Sequence, residues 1–210
     1  QTSGYYFYPY LELYGPTGNL VGTAGASGAY AAQLDRTLAE AGTYTVVLRN
    51  YDNVNTGTYA LTWEKLNGPC GPTALSCGQV VVGSIGVADQ IDPYTLTVPA
   101  NDVVTIRASR TSASGSLIPR LELYDSAGAL IVSAVNAITR TFTTGGTYTV
   151  LVRDDSSFYT GGYAITWHSL VNTCAASLGC GQDVSGTIDG TVSSPPWGIY
   201  SFTASANDVV

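Results

Sequence analysis

The chain has 210 residues, of which only 11% are charged, and its formal net charge is −7 at pH 7. Because no basic cluster occurs, it lacks the electrostatic attraction on which binding to nucleic acid or to anionic membranes depends. No apolar run approaches the ~20 residues of a membrane-spanning helix, so we expect neither nucleic-acid binding nor membrane insertion.

Strands are predicted along almost the whole chain, because apolar side chains alternate with polar ones. In chain order, two apolar faces come first: Tyr44, Val46 and Leu48, then Tyr59, Leu61 and Trp63. Further strands are predicted near 80–87, 92–99, 102–110, 119–125, 129–134 and 138–144. The two faces then recur: Tyr148, Val150 and Val152, then Tyr163, Ile165 and Trp167. Seven or eight antiparallel strands in roughly a hundred residues predict an all-β, jelly-roll- or immunoglobulin-like sandwich.

These recurrences are part of an internal repeat that starts and stops out of phase. The string at 11–14 returns at 121–124, and the string at 100–104 returns at 206–210. We therefore predict tandem sandwich domains, one complete and two partial. The predicted segments are a first copy at 1–69, a linker at 70–78, a complete copy at 79–171, a linker at 172–181 and a third copy at 182–210.

Five strings of the complete copy, in order, resemble the bacterial pre-peptidase C-terminal domain. They are 92–96, 100–106, 121–128, 146–150 and 161–165. The resemblance implies a jelly-roll-like sandwich of secreted or surface proteins, often in tandem, without catalytic residues of its own. One departure is that Asp92 corresponds to Gly198 in the third copy, which puts any metal-binding role of that position in doubt.

The four cysteines lie in the two linkers, as Cys70 with Cys77 and Cys174 with Cys180. Their short spacing predicts two local disulfides and an oxidising, extracellular or cell-surface location. Four free thiols, or disulfides between chains, are the alternatives. Zinc is disfavoured because its ligands usually lie closer together and include histidine.

An enzyme is not expected. The one histidine, His168, corresponds to Glu64 in the first copy and is predicted on the outward side of its strand, and a nucleophilic triad needs a held histidine. Glu12 and Glu122 occupy the same position in two copies, which favours a role in the scaffold.

Two weak binding sites are predicted. Oxygen-rich loops suit Ca²⁺, although Asx residues are equally typical of turns; the loop residues are Asp52, Asn53, Asn55, Asp154 and Asp155, with Ser156 beside them. Exposed aromatic residues could form an assembly or sugar-stacking surface, and a strand edge that needs a partner is the preferred interpretation; they are Tyr5, Tyr6, Tyr8, Tyr10, Trp197 and Tyr200.

The first copy lacks its opening strands, and the third copy carries their equivalents. Two hypotheses follow: a window of a longer covalent array, which the cut inside a strand favours, or strand complementation between chains. Both predict an extracellular structural or adhesive fibre or surface stalk whose partner is the protein itself. The alternative function is a carbohydrate- or protein-binding accessory region of a secreted hydrolase, with extracellular polysaccharide as a partner.

Overall fold

The computed structural model describes residues 6–68, 70–112, 115–171, 174–187 and 198–210. These residues form strands, turns and loops without a helix, so none of them belongs to a helical segment able to cross a membrane. The chain divides into two compact units, one made of 6–61 with Val87–Asp89 and the other of Thr62–Gly86 with Gln90–Val210. We describe each unit by itself.

The first unit contains a three-stranded antiparallel sheet. Its strands are β1 (Pro9–Tyr14), β2 (Leu20–Ala24) and β3 (Thr45–Asn50), in the order β2-β1-β3. Leu11 lies opposite Leu48, and Leu13 opposite Val46. The alternation of apolar and polar residues therefore sets the register, as expected where one face of a sheet is apolar.

The second unit contains the complete sandwich and two short strands beyond it. Its strands are β4 (Thr73–Ala74), β5 (Val81–Ile85), β6 (Asp92–Val98), β7 (Asp102–Arg110), β8 (Pro119–Tyr124), β9 (Leu130–Val135), β10 (Ala137–Phe142), β11 (Gly146–Asp154), β12 (Gly161–Ser169), β13 (Ala176–Ser177) and β14 (Tyr200–Ser201). A 5-stranded sheet, β4-β6-β11-β8-β9, packs on a 4-stranded sheet, β10-β7-β12-β5. The predicted all-β sandwich is confirmed, and the predicted strand boundaries in this copy agree within a few residues.

The core lies between these two sheets. Inward side chains of the central strands are completely buried, among them Ile106, Leu121, Val150, Tyr163 and Ile165. Each side chain of this size contributes about 1.5–3 kcal/mol when it leaves water. The longest strands are β7, β11 and β12, each of 9 residues, and each has a strand on both sides.

Strands of the first copy follow the same plan in one sheet only. β1, β2 and β3 are the equivalents of β8, β9 and β11, and the irregularity between Leu13 and Tyr14 recurs between Leu123 and Tyr124. The predicted strand at Tyr59–Trp63, the equivalent of β12, is wrong because residues 59–65 form no strand. Residues 33–38, the equivalents of β10, form none either. In the complete copy β10 and β12 pair with β7 and β5, and the first copy has no equivalent of β7 or β5 among its described residues.

Candidate functional site

Core positions of the complete copy are exposed in the first copy. Trp167 is 5% exposed and its equivalent Trp63 is 72% exposed. Tyr163 is fully buried, whereas Tyr59 is 56% exposed. The same contrast holds for Ile165 with Leu61 and for Phe142 with Leu38. Each of these side chains is exposed individually, so the first copy carries residues of core type without the strands that would cover them.

The outer edge of β3 is unpaired within the described part of the chain, where β3 pairs with β1 alone. Its equivalent β11 pairs with β8 on one side and with β6 on the other. Val46 is 45% exposed at the position where Val150 is fully buried. An edge strand with unpaired N–H and C=O groups is a template for an added strand.

Two contacts at the start of the complete copy recur in the third copy. β4 pairs in parallel with β6 as Thr73 opposite Tyr94, and β13 pairs with β14 as Ala176 opposite Tyr200. The N–H of Leu75 donates to the carbonyl of Thr95 at 2.8 Å, and the N–H of Leu178 donates to the carbonyl of Ser201 at 2.8 Å. The residues at 176–182 therefore take the conformation of 73–79, although the described residues do not include the rest of a third sandwich.

Apolar side chains of the third copy are exposed as well. Tyr200 is 47% exposed and Phe202 58% exposed, whereas their equivalents Tyr94 and Leu96 are 4% and 1% exposed. Val209 and Val210 are almost completely exposed. Of the aromatic surface predicted from the sequence, Tyr5 and Trp197 lie outside the described residues.

The cysteine pairing predicted from the sequence is wrong. Cys77 is bonded to Cys174, with Cα atoms 5.8 Å apart and a sequence separation of 97. The chain at Cys77 runs beside the end of β12, since the N–H of Gly78 donates to the carbonyl of Trp167 at 2.9 Å and the N–H of Ser169 donates to Cys77 Sγ at 3.4 Å. Strand pairing across the sandwich thus brings together two cysteines that the local spacing keeps apart.

Cys70 and Cys180 carry free, exposed thiols. Cys70 is the equivalent of Cys174 at the end of its copy, and Cys180 is the equivalent of Cys77 at the start of its copy. The disulfide therefore joins the start of a copy to its end, and each free cysteine belongs to a copy of which the described chain holds only one side.

The two repeated glutamates belong to the scaffold. Glu122 accepts hydrogen bonds from Arg153 Nε at 2.9 Å and from the Tyr124 hydroxyl at 2.9 Å. Glu12 accepts the same bonds from Arg49 at 3.0 Å and from Tyr14 at 2.7 Å. The hydrogen bond from Tyr14, and then the one from Arg49, hold the pKa of Glu12 below its ordinary value. Through these hydrogen bonds the two carboxylates link β1 to β3 and β8 to β11.

The acidic loops use their oxygens to hold the backbone. Asp154 is 2% exposed and accepts hydrogen bonds from the N–H groups of Ile118, Phe158 and Tyr159 at 3.0–3.1 Å, and from Ser156 Oγ. Burial acts to raise the pKa of Asp154, but these hydrogen bonds outweigh it, and the pKa is lowered. In the first copy, Asn50 is the equivalent and accepts from the N–H of Tyr8 at 2.7 Å.

The other residues of the predicted calcium loops are also engaged. Asp155 is paired with Arg120, Asp52 accepts from the N–H of Val54 at 3.1 Å, and Asn53 accepts from Arg49 at 3.3 Å. Asn55 donates to Asp52 at 3.4 Å. The described residues contain no group of three or more His, Cys, Asp or Glu side chains able to hold a metal ion. Calcium binding stays a prediction.

His168 lies on the face of its strand opposite the core residue Trp167, as predicted, but its side chain is only 7% exposed because the segment that carries Cys174 covers it. Its ring nitrogens lie 3.4 Å from Thr166 Oγ1 and 3.9 Å from Cys174 Sγ. Burial first, and then the charge of Arg107, lower the pKa of His168. The nearby Ser169 hydroxyl donates to Asp102 at 2.8 Å rather than to this histidine.

The tyrosines at the start of the chain contact other rings. Tyr8 lies 5.7 Å from Tyr30, and Tyr10 lies 5.6 Å from Tyr51, measured between ring centroids. The guanidinium of Arg49 lies 4.2 Å from the centre of the Tyr10 ring. Tyr6 is 61% exposed. Tyr8 and Tyr10 therefore pack within the first unit and do not form a bare platform.

Sequence reasoning missed the exposure of Tyr59, Leu61 and Trp63, because it placed them inside a sandwich. It also missed the partners of two buried polar groups. Ser169 binds Asp102 in the complete copy; the equivalents are Lys65 in the first copy and Asp208 in the third. Extending the repeat alignment through these two positions would have found an oppositely charged pair.

Comparisons with known proteins give similar solved structures but no matching family model and no matching curated protein. One similar structure is the pre-peptidase C-terminal domain of a collagenase from Bacillus anthracis, with 19% identity and a TM-score of 0.38, covering 48% of this chain and 98% of that one. Two others are PliG, a periplasmic inhibitor of g-type lysozyme. The Aeromonas hydrophila protein has 13% identity and a TM-score of 0.36, covering 46% of this chain and 96% of its own. The Salmonella Typhimurium protein has 14% identity and a TM-score of 0.34, covering 46% of this chain and 97% of its own. The family that the sequence strings resemble is thus represented among the similar solved structures.

Proposed function

We propose that this protein is a non-enzymatic, extracellular structural protein whose sandwiches form a linear fibre or surface stalk. The observation that carries this proposal is the pair of incomplete copies. The first copy exposes Tyr59, Leu61 and Trp63. Their equivalents in the complete copy, Tyr163, Ile165 and Trp167, are core residues. The third copy carries equivalents of the strands that cover such residues.

Assembly is favoured by the hydrophobic effect and by strand pairing together. Each of the exposed large side chains contributes about 1.5–3 kcal/mol if it becomes buried. A strand added to the edge of β3 satisfies backbone groups that water now holds. Head-to-tail contacts form a closed ring only when the rotation between neighbouring chains permits it. Otherwise they form a linear polymer.

The Cys77–Cys174 disulfide supports an oxidising location, since such bonds persist outside the cytosol. A low content of charged side chains, 11%, suits a durable surface in contact with solvent and matrix. Adhesion to extracellular polysaccharide stays a proposal for the outer face of such a fibre.

Electron microscopy of the concentrated, purified chain tests this function. We expect linear filaments with a constant axial repeat, and the variant Trp63→Ala should reduce their number. Particles that remain single at every concentration would contradict the proposal. A carbohydrate- or protein-binding accessory role, the alternative, would show as binding to a polysaccharide without filaments, with Trp63 and Tyr59 acting as exposed stacking rings.

A further inference from the structure

We propose that the strands that complete the first copy come from a second copy of this chain, and that a disulfide between Cys180 of one chain and Cys70 of the next seals each junction. This inference rests on the proposed assembly and adds its partner, its register and its covalent bond. The complete copy supplies the template for every contact.

The cysteines give the first argument. Within the complete copy the start and the end are joined by Cys77 and Cys174. A junction made of a third copy and a first copy contains Cys180 at the position of Cys77 and Cys70 at the position of Cys174. Both thiols are exposed and unbonded, so they are available to a second chain.

Strand pairing fixes the register of the junction. In the complete copy Val150 lies opposite Tyr94, and Tyr148 lies opposite Leu96. The same register places Tyr200 opposite Val46 of the next chain, and Phe202 opposite its Tyr44. Tyr200 and Phe202 then stand beside Val46 and Tyr44 on the same face of the extended sheet, as Tyr94 and Leu96 stand beside Val150 and Tyr148.

Side-chain packing gives a second match. The Trp167 indole N–H donates to the carbonyl of Leu75 at 2.9 Å. The equivalent acceptor for Trp63 is the carbonyl of Leu178 in the second chain. Tyr163 lies against Gly83, where a Cβ would lie 2.5 Å from its ring. Gly186 is the equivalent of Gly83 and leaves the same space for Tyr59.

Charge complementarity gives a third match that apolar packing does not explain. Ser169 and Asp102 are both buried and are hydrogen-bonded at 2.8 Å. At the junction these positions hold Lys65, the one lysine of the chain, and Asp208. An opposite charge at the right position compensates the cost of burying Asp208. Without such a junction there is no reason to expect the one lysine of the chain at the position that lies opposite Asp208.

Bond formation needs an oxidant. The thiols of Cys70 and Cys180 lose two protons and two electrons, and one molecule of a small disulfide such as oxidised glutathione accepts them and becomes two thiols. Exchange passes through a mixed disulfide on either cysteine. Since the junction brings the sulfurs together, bonding follows docking and makes it irreversible in oxidising conditions.

The test mixes two variants, Cys70→Ser and Cys180→Ser, in a glutathione buffer, and blocks the remaining thiols by alkylation. Each chain of the mixture offers one competent cysteine, so we expect a covalent dimer at twice the 21.8 kDa chain mass and no larger species on a non-reducing gel. Wild-type protein should give a ladder that collapses to one band on reduction. Chymotrypsin cleaves at Leu75 and Leu178, separating the cysteines of each linker, and the linked peptides should join Cys70 to Cys180.

Several outcomes would overturn the inference. Filaments in which the thiols of Cys70 and Cys180 both react with the alkylating reagent would contradict the proposed disulfide. They would still agree with the proposed function. Cys70–Cys180 bonds found inside single chains, or bonds joining like cysteines, would contradict the head-to-tail junction. Homodimers formed by either variant alone would do the same. Absence of filaments in reducing and oxidising buffers alike would reject the proposed function itself.

Discussion

Trp63 and Trp167 occupy the same position in two copies of one repeat, yet their side chains are 72% and 5% exposed. The sequences around them are alike, so the difference comes from their partners. Trp167 is covered by the segment that carries Leu75, whose carbonyl accepts its indole N–H at 2.9 Å. The first copy has no such segment among its described residues.

Truncating each tryptophan to alanine separates folding from assembly. Trp167→Ala should lower the free energy of unfolding by about 3–5 kcal/mol, because it leaves a cavity in the core. Trp63→Ala should leave the unfolding of the monomer nearly unchanged and reduce the number of filaments. Urea unfolding of the dilute chain and light scattering of the concentrated chain measure the two effects. An equal loss of stability in both variants would show that Trp63 is already buried.

Two glycines provide a matched pair of small substitutions. A Cβ at Gly83 would lie 2.5 Å from the Tyr163 ring, so Gly83→Ala should destabilise the monomer by about 1–3 kcal/mol through overpacking. At Gly186 the nearest atom to such a Cβ is the Tyr200 hydroxyl, at 4.0 Å, so Gly186→Ala should leave the monomer intact. It should still block assembly by closing the space for Tyr59. Normal filaments from Gly186→Ala would count against the register proposed for the junction.

Lys65 is predicted to contribute through Asp208 of the neighbouring chain. Lys65→Leu leaves that carboxylate buried without its cationic partner, which costs about 3–5 kcal/mol, so the concentration needed for assembly should rise at least a hundredfold. Lys65→Ser restores the serine–aspartate pair seen at Ser169 and Asp102 and should assemble better than Lys65→Leu. The critical concentration for filament formation, measured by sedimentation, checks the order of the two variants. Equal critical concentrations for the two variants would show that Lys65 does not lie in the interface.

Stability in acid should depend on Asp154. Its pKa is lowered in the folded protein, so its contribution is fully present above the ordinary pKa of a free aspartate and is lost as the pH falls through the folded value. Asp154→Asn should make unfolding less dependent on pH below about pH 4. Asn50, which accepts from Tyr8 at 2.7 Å, shows that an amide fits this loop. Asp154→Ala should cost about 1–3 kcal/mol at neutral pH, because buried N–H groups lose their acceptor. An unchanged acid transition in Asp154→Asn would show that other carboxylates control it.

The disulfide of the complete copy is predicted to stabilise the monomer. The double variant Cys77→Ser with Cys174→Ser should lose about 2–5 kcal/mol, because it releases a loop of 97 residues in the unfolded chain. The double variant Cys70→Ser with Cys180→Ser serves as the control and should unfold like the wild type when dilute. Equal losses in both pairs would mean that the free thiols are bonded in the monomer.

Sequence reasoning predicted the strands of the complete copy well, because each apolar face there has a sheet to cover it. It failed at Tyr59–Trp63, where the same alternation occurs without neighbouring strands. It failed also for the cysteines, since Cys77 and Cys174 meet only after β12 has formed its long-range pairs. The alternation of apolar residues shows which face of a segment needs to be buried. Whether a neighbouring strand is present to bury that face depends on the whole fold.

Hydrogen exchange of residues 43–47 and 59–65, in the dilute chain and in filaments, tests the central claim most directly. Strand addition to β3 and burial of Trp63 should slow exchange in both segments, and in 199–203, by at least about a hundredfold, as expected when exposed amides enter a sheet. Filaments in which these three segments exchange as fast as in the dilute chain would contradict completion of the first copy by the third.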